Sequence, residues 1–295
     1  MKSPRRSIHV LFVLALSLAA ALLPLGAGLG PRPTGKAITQ RPDGFLPSKH
    51  GFEFRNVFRG SPLPALLRNA ESGPLRAMRA GVDAGLPTEY GLCGGMSLAA
   101  ADFYLSRATP IQTTTPPVLD TPLYDYLYQR QTDSMGQWGV MAMKFWKWMS
   151  LPDRSKAGES TAHLSAVELP VIIARLKARQ LVPVGLVFTS QADGGRIWEN
   201  HQVLAYGVVE KDDGVVDIRI YDPNFPKDDE CVVRVTPVGK SDKSKEVVAD
   251  RINGKGAVKK VRGFFAMPYQ PRIPPKSLVS RQSGGTFTRS PASQK

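Results

Sequence analysis

A change of hydrophobic period near residue 181 constrains this chain most. Before it, apolar residues recur at helical spacing; after it, they alternate as in half-buried strands. Residues 93–107 predict a helix, with Met96, Ala99, Ala100, Phe103 and Tyr104 on one face. Helices are also expected over 123–134 and 135–150. The second carries the stripe Trp138, Met141, Phe145, Trp146, Trp148 and Met149, read as core, with a cleft wall as the sharper alternative. Leu169-Pro170 predicts another helix, with proline in its first turn, running to about Gln180. Residues 181–188, 201–209, 215–222, 231–236 and 256–267 then read as strands, with turn signals at Asp212-Asp213-Gly214 and Pro223-Asn224-Phe225-Pro226. Helices first and an antiparallel sheet second predict an α+β fold.

The ends of the chain read differently. Lys2, Arg5 and Arg6 precede an apolar run over 10–23, then Pro24 and a Gly/Ala-rich stretch to Gly30. A basic start, an apolar middle and small residues after it read as a secretory signal. The run 10–30 also matches the ~20 residues that span a bilayer. Residues 1–30 are therefore a signal peptide or an N-terminal membrane anchor. Either places the rest outside the cytoplasm: secreted, periplasmic or in the cell envelope. Residues 31–50 read as a linker and 51–270 as one domain. The basic tail 271–295, rich in Pro, Ser and Gly, reads as disordered. Within the domain, 51–58 alternates Phe with polar residues and predicts an extended segment, followed by Pro- and Gly-rich turns up to Pro87.

The formal charge is +14, or +11 without Lys2, Arg5 and Arg6. The basic residues are scattered, with no basic helix and no zinc-finger or aromatic RNA-binding motif, which argues against nucleic acid. An anionic envelope or cell-wall polymer suits the charge better.

The first chemical signal is Tyr90-Gly91-Leu92-Cys93-Gly94-Gly95-Met96. It places a cysteine where a loop becomes a helix. The glycines are expected to let a substrate backbone come close. Orphan N–H groups and the positive dipole end of a helix favour a thiolate. The only other cysteine is Cys231. In an exported protein a Cys93–Cys231 disulfide is the competing expectation. Against it, Cys231-Val232-Val233-Arg234-Val235 alternates like a strand, and Cys231 reads as a small core residue.

Four histidines are candidates for a base. His9 lies in the leader, His50 in the linker and His163 in a polar loop. His201 heads the apolar strand His201-Gln202-Val203-Leu204-Ala205-Tyr206-Gly207-Val208. If 201–209 and 215–222 form a hairpin, pairing Val209 with Val215 sets His201 opposite Pro223, and a one-residue slip sets it opposite Asp222. Either register brings the Asp222–Asn224 turn beside His201. A carboxylate or amide there would hold the imidazole in the required tautomer. Asp222 is the first candidate and Asn224 the second. The dispersed histidines and the lack of a Cys-x-x-Cys spacing give no reason to expect a metal, and no cofactor is called for.

Cys-Gly-Gly opening a helix, a His heading a strand and an Asp ending the next strand resemble the papain-like cysteine peptidase superfamily. Asn200-His201-Gln202-Val203-Leu204-Ala205-Tyr206-Gly207 and Ile220-Tyr221-Asp222-Pro223-Asn224 are similar to the His and Asp segments of its bacteriocin-processing peptidase branch. The resemblance covers about residues 50–270. It implies an N-terminal helical half whose Cys-bearing helix packs against a C-terminal antiparallel sheet. It further implies Cys93 as nucleophile, His201 as general base and acid, Asp222 as its orienter, and the Cys93 N–H as part of an oxyanion hole. One departure stands out. The family places a Gln several residues before the cysteine, whereas Gly85-Leu86-Pro87-Thr88-Glu89-Tyr90 holds neither Gln nor Asn. Losing one such donor typically costs ~10²–10³ in rate. The Tyr90 hydroxyl is the substitute candidate. The expected activity is an exported thiol hydrolase acting on a peptide or related amide. The alternatives are a catalytically degenerate papain-fold binding protein and a transglutaminase-like acyltransferase, which shares the Cys/His/Asp order.

Overall fold

In the computed structural model the change of period becomes a set of helices followed by one curled antiparallel sheet, an α+β arrangement. The structure describes residues 44–61, 63, 89–136, 139–155, 159–238 and 246–280. The short elements α1 (Pro47–His50), β1 (Phe58–Arg59) and β2 (Glu89–Tyr90) come first. Helices α2 (Cys93–Leu105), α3 (Pro122–Ser134), α4 (Val140–Ser150) and α5 (Thr161–Lys177) follow. The strands are β3 (Val182–Val187), β4 (His201–Glu210), β5 (Val216–Tyr221), β6 (Val232–Pro237), β7 (Val247–Ile252), β8 (Val258–Val261) and β9 (Gly263–Ala266). These seven form one sheet in the order β8-β7-β6-β5-β4-β3-β9, all neighbours antiparallel. The leader over 1–30, most of the predicted linker, the turns over 64–87 and the tail beyond 280 lie outside the described residues. Among the described residues no helix is long and apolar enough to cross a membrane.

Helix α2 is apolar nearly all round, as expected of a helix enclosed by protein. Met96, Ala99, Ala100, Phe103 and Tyr104 join Phe52, Phe54 and Phe58 from the N-terminal segment, Leu127 from α3, and Leu204 and Tyr221 from the sheet in one core cluster. Helix α5 covers a second cluster, with Ile172 and Leu176 against Val182, Val184, Val203, Ala205 and Ile220. The aromatic stripe of α4 is largely core: Phe145, Trp148 and Met149 pack on Val187 and Phe265. Trp138 lies outside the described residues.

Several expectations are corrected. Helix α4 starts at Val140 rather than 135, because Gly136 (φ 72°) and Gly139 (φ 71°) break the helical path. Helix α5 begins at Thr161, well before Leu169-Pro170. Ser160 caps it by accepting from the His163 N–H at 3.1 Å, so the predicted polar loop is its first turn, and Pro170 sits within it at an exposed position. The strand expected over 256–267 is two strands, parted at Arg262, whose guanidinium binds Asp153, Thr189 O and Leu151 O. Strand β7 was not expected at all. The domain also reaches further than 51–270. Phe45 and His50 are buried at one end and Leu278 at the other, and Val279 bridges Pro110.

A buried polar knot ties the C-terminal segment to the helices. Asp102 of α2 accepts from Tyr126 (2.8 Å), Tyr269 (2.9 Å) and the Arg272 N–H (2.8 Å), and pairs with Arg130 Nε at 2.8 Å. Burial nonetheless pushes its carboxyl up to about 6 against Arg130 and these donors.

The glycines after Cys93 turn out to serve packing rather than access for a substrate backbone. A Cβ on Gly95 would lie 2.1 Å from the Leu127 carbonyl oxygen, and one on Gly94 would lie 2.3 Å from Ser134 Oγ and 2.4 Å from Gln202 Oε1. Helix α2 can close on α3 and β4 only without those side chains. Gly95→Ala is expected to lower stability by about 1–3 kcal/mol, the usual cost of overpacking, because a backbone carbonyl cannot swing aside. Urea denaturation checks this; an unchanged midpoint would contradict the packing argument.

Candidate active site

Cys93 is the first residue of α2, and the residue before it, Leu92, contributes no side-chain cap. The cysteine is half-buried and free, as is the buried Cys231, so the disulfide expectation does not hold. Burial pushes the Cys231 thiol up, consistent with an inert core residue.

His201 and Asp222 meet as the hairpin argument requires, in a different register. Val209 pairs with Asp217 rather than Val215, and a bulge lies between Ala205 and Gly207. Beyond the bulge Leu204 pairs with Tyr221, a register that continued outward sets His201 across from Asn224. Asp222, at the end of β5, then turns its carboxylate onto the ring. His201 Nε2 lies 2.7 Å from Asp222 Oδ1. The Asn224 N–H donates to the same oxygen at 2.9 Å, and Asn224 Nδ2 stands 3.4 Å from His201 Nε2. Both candidate orienters therefore converge on one ring nitrogen, with the carboxylate closer. His201 is 5 % exposed and Asp222 1 %. The Phe188 ring stacks on the imidazole at 6.3 Å. With Nε2 taken, Nδ1 is the nitrogen left for Cys93, which acts on the ring and favours its charge.

The electrostatics follow from this enclosure. Burial is the largest influence on His201 and opposes its charge. The Asp222 carboxylate, then Cys93, outweigh burial and raise the ring from 6.5 to about 10. Burial likewise opposes the Asp222 charge, yet His201, the Asn224 N–H and Arg251 hold its carboxyl below the ordinary 3.8. Such a pair favours imidazolium beside carboxylate at neutral pH.

Two residues that the sequence reading passed over complete the surroundings. Asn56, from the Phe-rich segment, accepts from the Leu92 N–H at 2.6 Å and donates to Asn224 Oδ1 at 3.2 Å; its own N–H donates to Pro223 O at 3.0 Å. It clips the cysteine loop to the acid turn. Arg251, from the unexpected strand β7, donates from Nη1 to Asp222 Oδ2 at 2.9 Å. By contrast, the Tyr90 hydroxyl is 2.6 Å from that of Tyr124 and its ring stacks on Phe58. These contacts commit Tyr90 to the core cluster and away from the oxyanion role expected of it.

No family model matches the chain, and neither does any curated protein or solved structure.

This geometry makes three predictions. In ¹⁵N NMR the His201 ring should stay protonated through neutral pH and lose its proton near 10, whereas in Asp222→Asn it should do so at much lower pH. Titration of the wild-type ring near 6.5 would contradict the arrangement. The raised imidazole contributes stability that is complete below 6.5 and gone above about 10, and the lowered carboxylate contributes stability that is complete above 3.8. The pair should therefore support the fold most between those two ordinary values, 3.8 and 6.5, and thermal melts across pH check this. Separately, Asn56→Ala leaves the buried Leu92 N–H without its acceptor and should cost about 1–3 kcal/mol in denaturant unfolding.

Proposed function

We propose that this chain is an exported papain-like thiol hydrolase that cleaves a peptide or related amide through Cys93, His201 and Asp222. The observation that carries the proposal is the convergence of three side chains far apart in sequence: a cysteine heading a buried helix, a histidine whose charge that cysteine favours, and a buried carboxylate on one ring nitrogen. In the first step the Cys93 thiol gives its proton to the His201 ring, forming the imidazolium, and Sγ bonds to the substrate carbonyl carbon. As the amide C–N bond breaks, the imidazolium proton of His201 passes to the leaving nitrogen. Water, giving its proton back to the ring, then splits the thioester and releases the acid. The Cys93 N–H, at an uncapped helix start, is one donor to the developing oxyanion. Asn56 braces the same loop, with its Oδ1 accepting from Leu92 and its Nδ2 donating to Asn224.

Iodoacetamide alkylation near neutral pH tests the proposal. Cys93 should react faster than a free cysteine while Cys231 does not react, and cleavage of an unstructured peptide mixture should disappear in Cys93→Ala. Ordinary reactivity at Cys93 together with turnover unaffected by Cys93→Ala would sink the hydrolase reading. Products carrying an added amine would instead favour acyl transfer.

A further inference from the structure

The far side of Asp222 is built for something the triad alone does not require. Arg251 stands on β7, two strands from β5, and faces the buried side of its strand together with Val247 and Ala249. Its guanidinium lies 4.6 Å over the Phe225 ring and reaches Asp222 Oδ2 at 2.9 Å, with its side chain only 10 % exposed. Its Nε is buried and has no hydrogen-bond partner among the described residues. Arg251 is committed to one carboxylate oxygen and one aromatic face.

The charge balance of the reaction shows what such a cation does. When Cys93 Sγ bonds to the carbonyl carbon and the C–N bond breaks, the ring gives its proton to the leaving nitrogen and becomes neutral. Asp222 is then a buried anion that has lost its imidazolium partner, a costly state unless another charge compensates it. The other groups facing the pair are few. Asn224 is neutral, and the Cys231 thiol is held protonated by burial. Lys259 of β8 holds its ammonium 3.9 Å over the Phe188 ring that stacks on His201, without an ion pair to Asp222 among the described residues. Glu199 lies within electrostatic range of Lys259, and Asp228 within range of Cys231. Lys259 also acts on Asp222 through space, but among the described residues Arg251 is the cation that pairs with it directly and keeps its charge when the ring is neutral.

We propose that Arg251 is a positioning residue of this site: it fixes the Asp222 carboxylate from behind and shares its charge, so that Asp222 stays ionised while His201 is neutral and the ring can release its proton. The proposal rests on reading Cys93, His201 and Asp222 as a nucleophilic set. An arginine that braced the fold without sharing the Asp222 charge would leave the proton affinity of His201 unchanged once the fold is intact.

The test uses the full chain with ¹⁵N-labelled histidine, in the wild type, Arg251→Met and Arg251→Lys. With the cation gone, His201 should hold its proton about tenfold more tightly, one unit in its titration midpoint, and Arg251→Lys should return most of that shift. A midpoint in Arg251→Met equal to or below the wild type would overturn the proposal. A second measurement leaves Arg251 in place and so does not depend on that variant folding. In His201→Gln, carboxyl ¹³C NMR should find Asp222 ionised at neutral pH, held by its ion pair with Arg251; a protonated Asp222 there would overturn the proposal equally. Neither readout involves turnover, so a failure to cleave peptides would count against the hydrolase reading and leave this result standing.

Discussion

The closeness of helix α2 to its neighbours is the constraint on which the site depends. Gly95 lets the helix touch the carbonyl of Leu127, and Gly94 lets it lie against Ser134 and Gln202. With α3 on one side and β4 on the other, the helix start has only one place to be, beside the end of β4 where His201 stands. Asn56 then fixes the approach of the loop by holding Leu92 and the Asp222–Asn224 turn at once. The arrangement proposed as reactive is therefore a by-product of packing, set by residues outside the three side chains themselves.

Two fully buried carboxylates show how burial and partners divide structural from chemical roles. Asp102 is surrounded by donors that keep their protons, two tyrosine hydroxyls, a backbone N–H and Arg130. It locks the segment after β9 onto α2 and α3. Asp222 has a different kind of neighbour, an imidazole able to gain and lose a proton beside a thiol. The same desolvation acts on both, yet it raises the carboxyl of Asp102, while at Asp222 the close positive charges prevail. A buried acid next to a titratable base is poised for proton transfer, whereas one next to fixed donors is a fastener.

Much of the site was legible because its signals are local. The Cys-Gly-Gly step, the histidine at a strand head and the Asp-Pro-Asn turn each reflect short-range chemistry, and the hairpin placed two of them together even with the register misjudged. The bulge near Tyr206 moved the register, and nothing in the alternation of that strand marks it. The other misses are long-range. Asn56 lies 36 residues before Leu92 and acts only through the folded contact. Strand β7 hides because its buried positions run Val247, Ala249, Arg251, and a charge at an inward position defeats an apolar alternation. Helix α5 hides because Pro170, which reads as a helix start, sits within it, and the true start depends on the Ser160 cap. The glycines were noticed for the wrong reason: their closeness is to Leu127, Ser134 and Gln202, partners no sequence window contains.

The central claim is that Cys93 is a nucleophile activated by His201. Acid-quenched intact-protein mass spectrometry after mixing with a p-nitrophenyl ester tests it most directly. The account predicts rapid formation of a single acyl adduct on Cys93 in the wild type, strongly slowed in His201→Ala. An adduct that forms elsewhere, or that forms on Cys93 just as fast without His201, would contradict it.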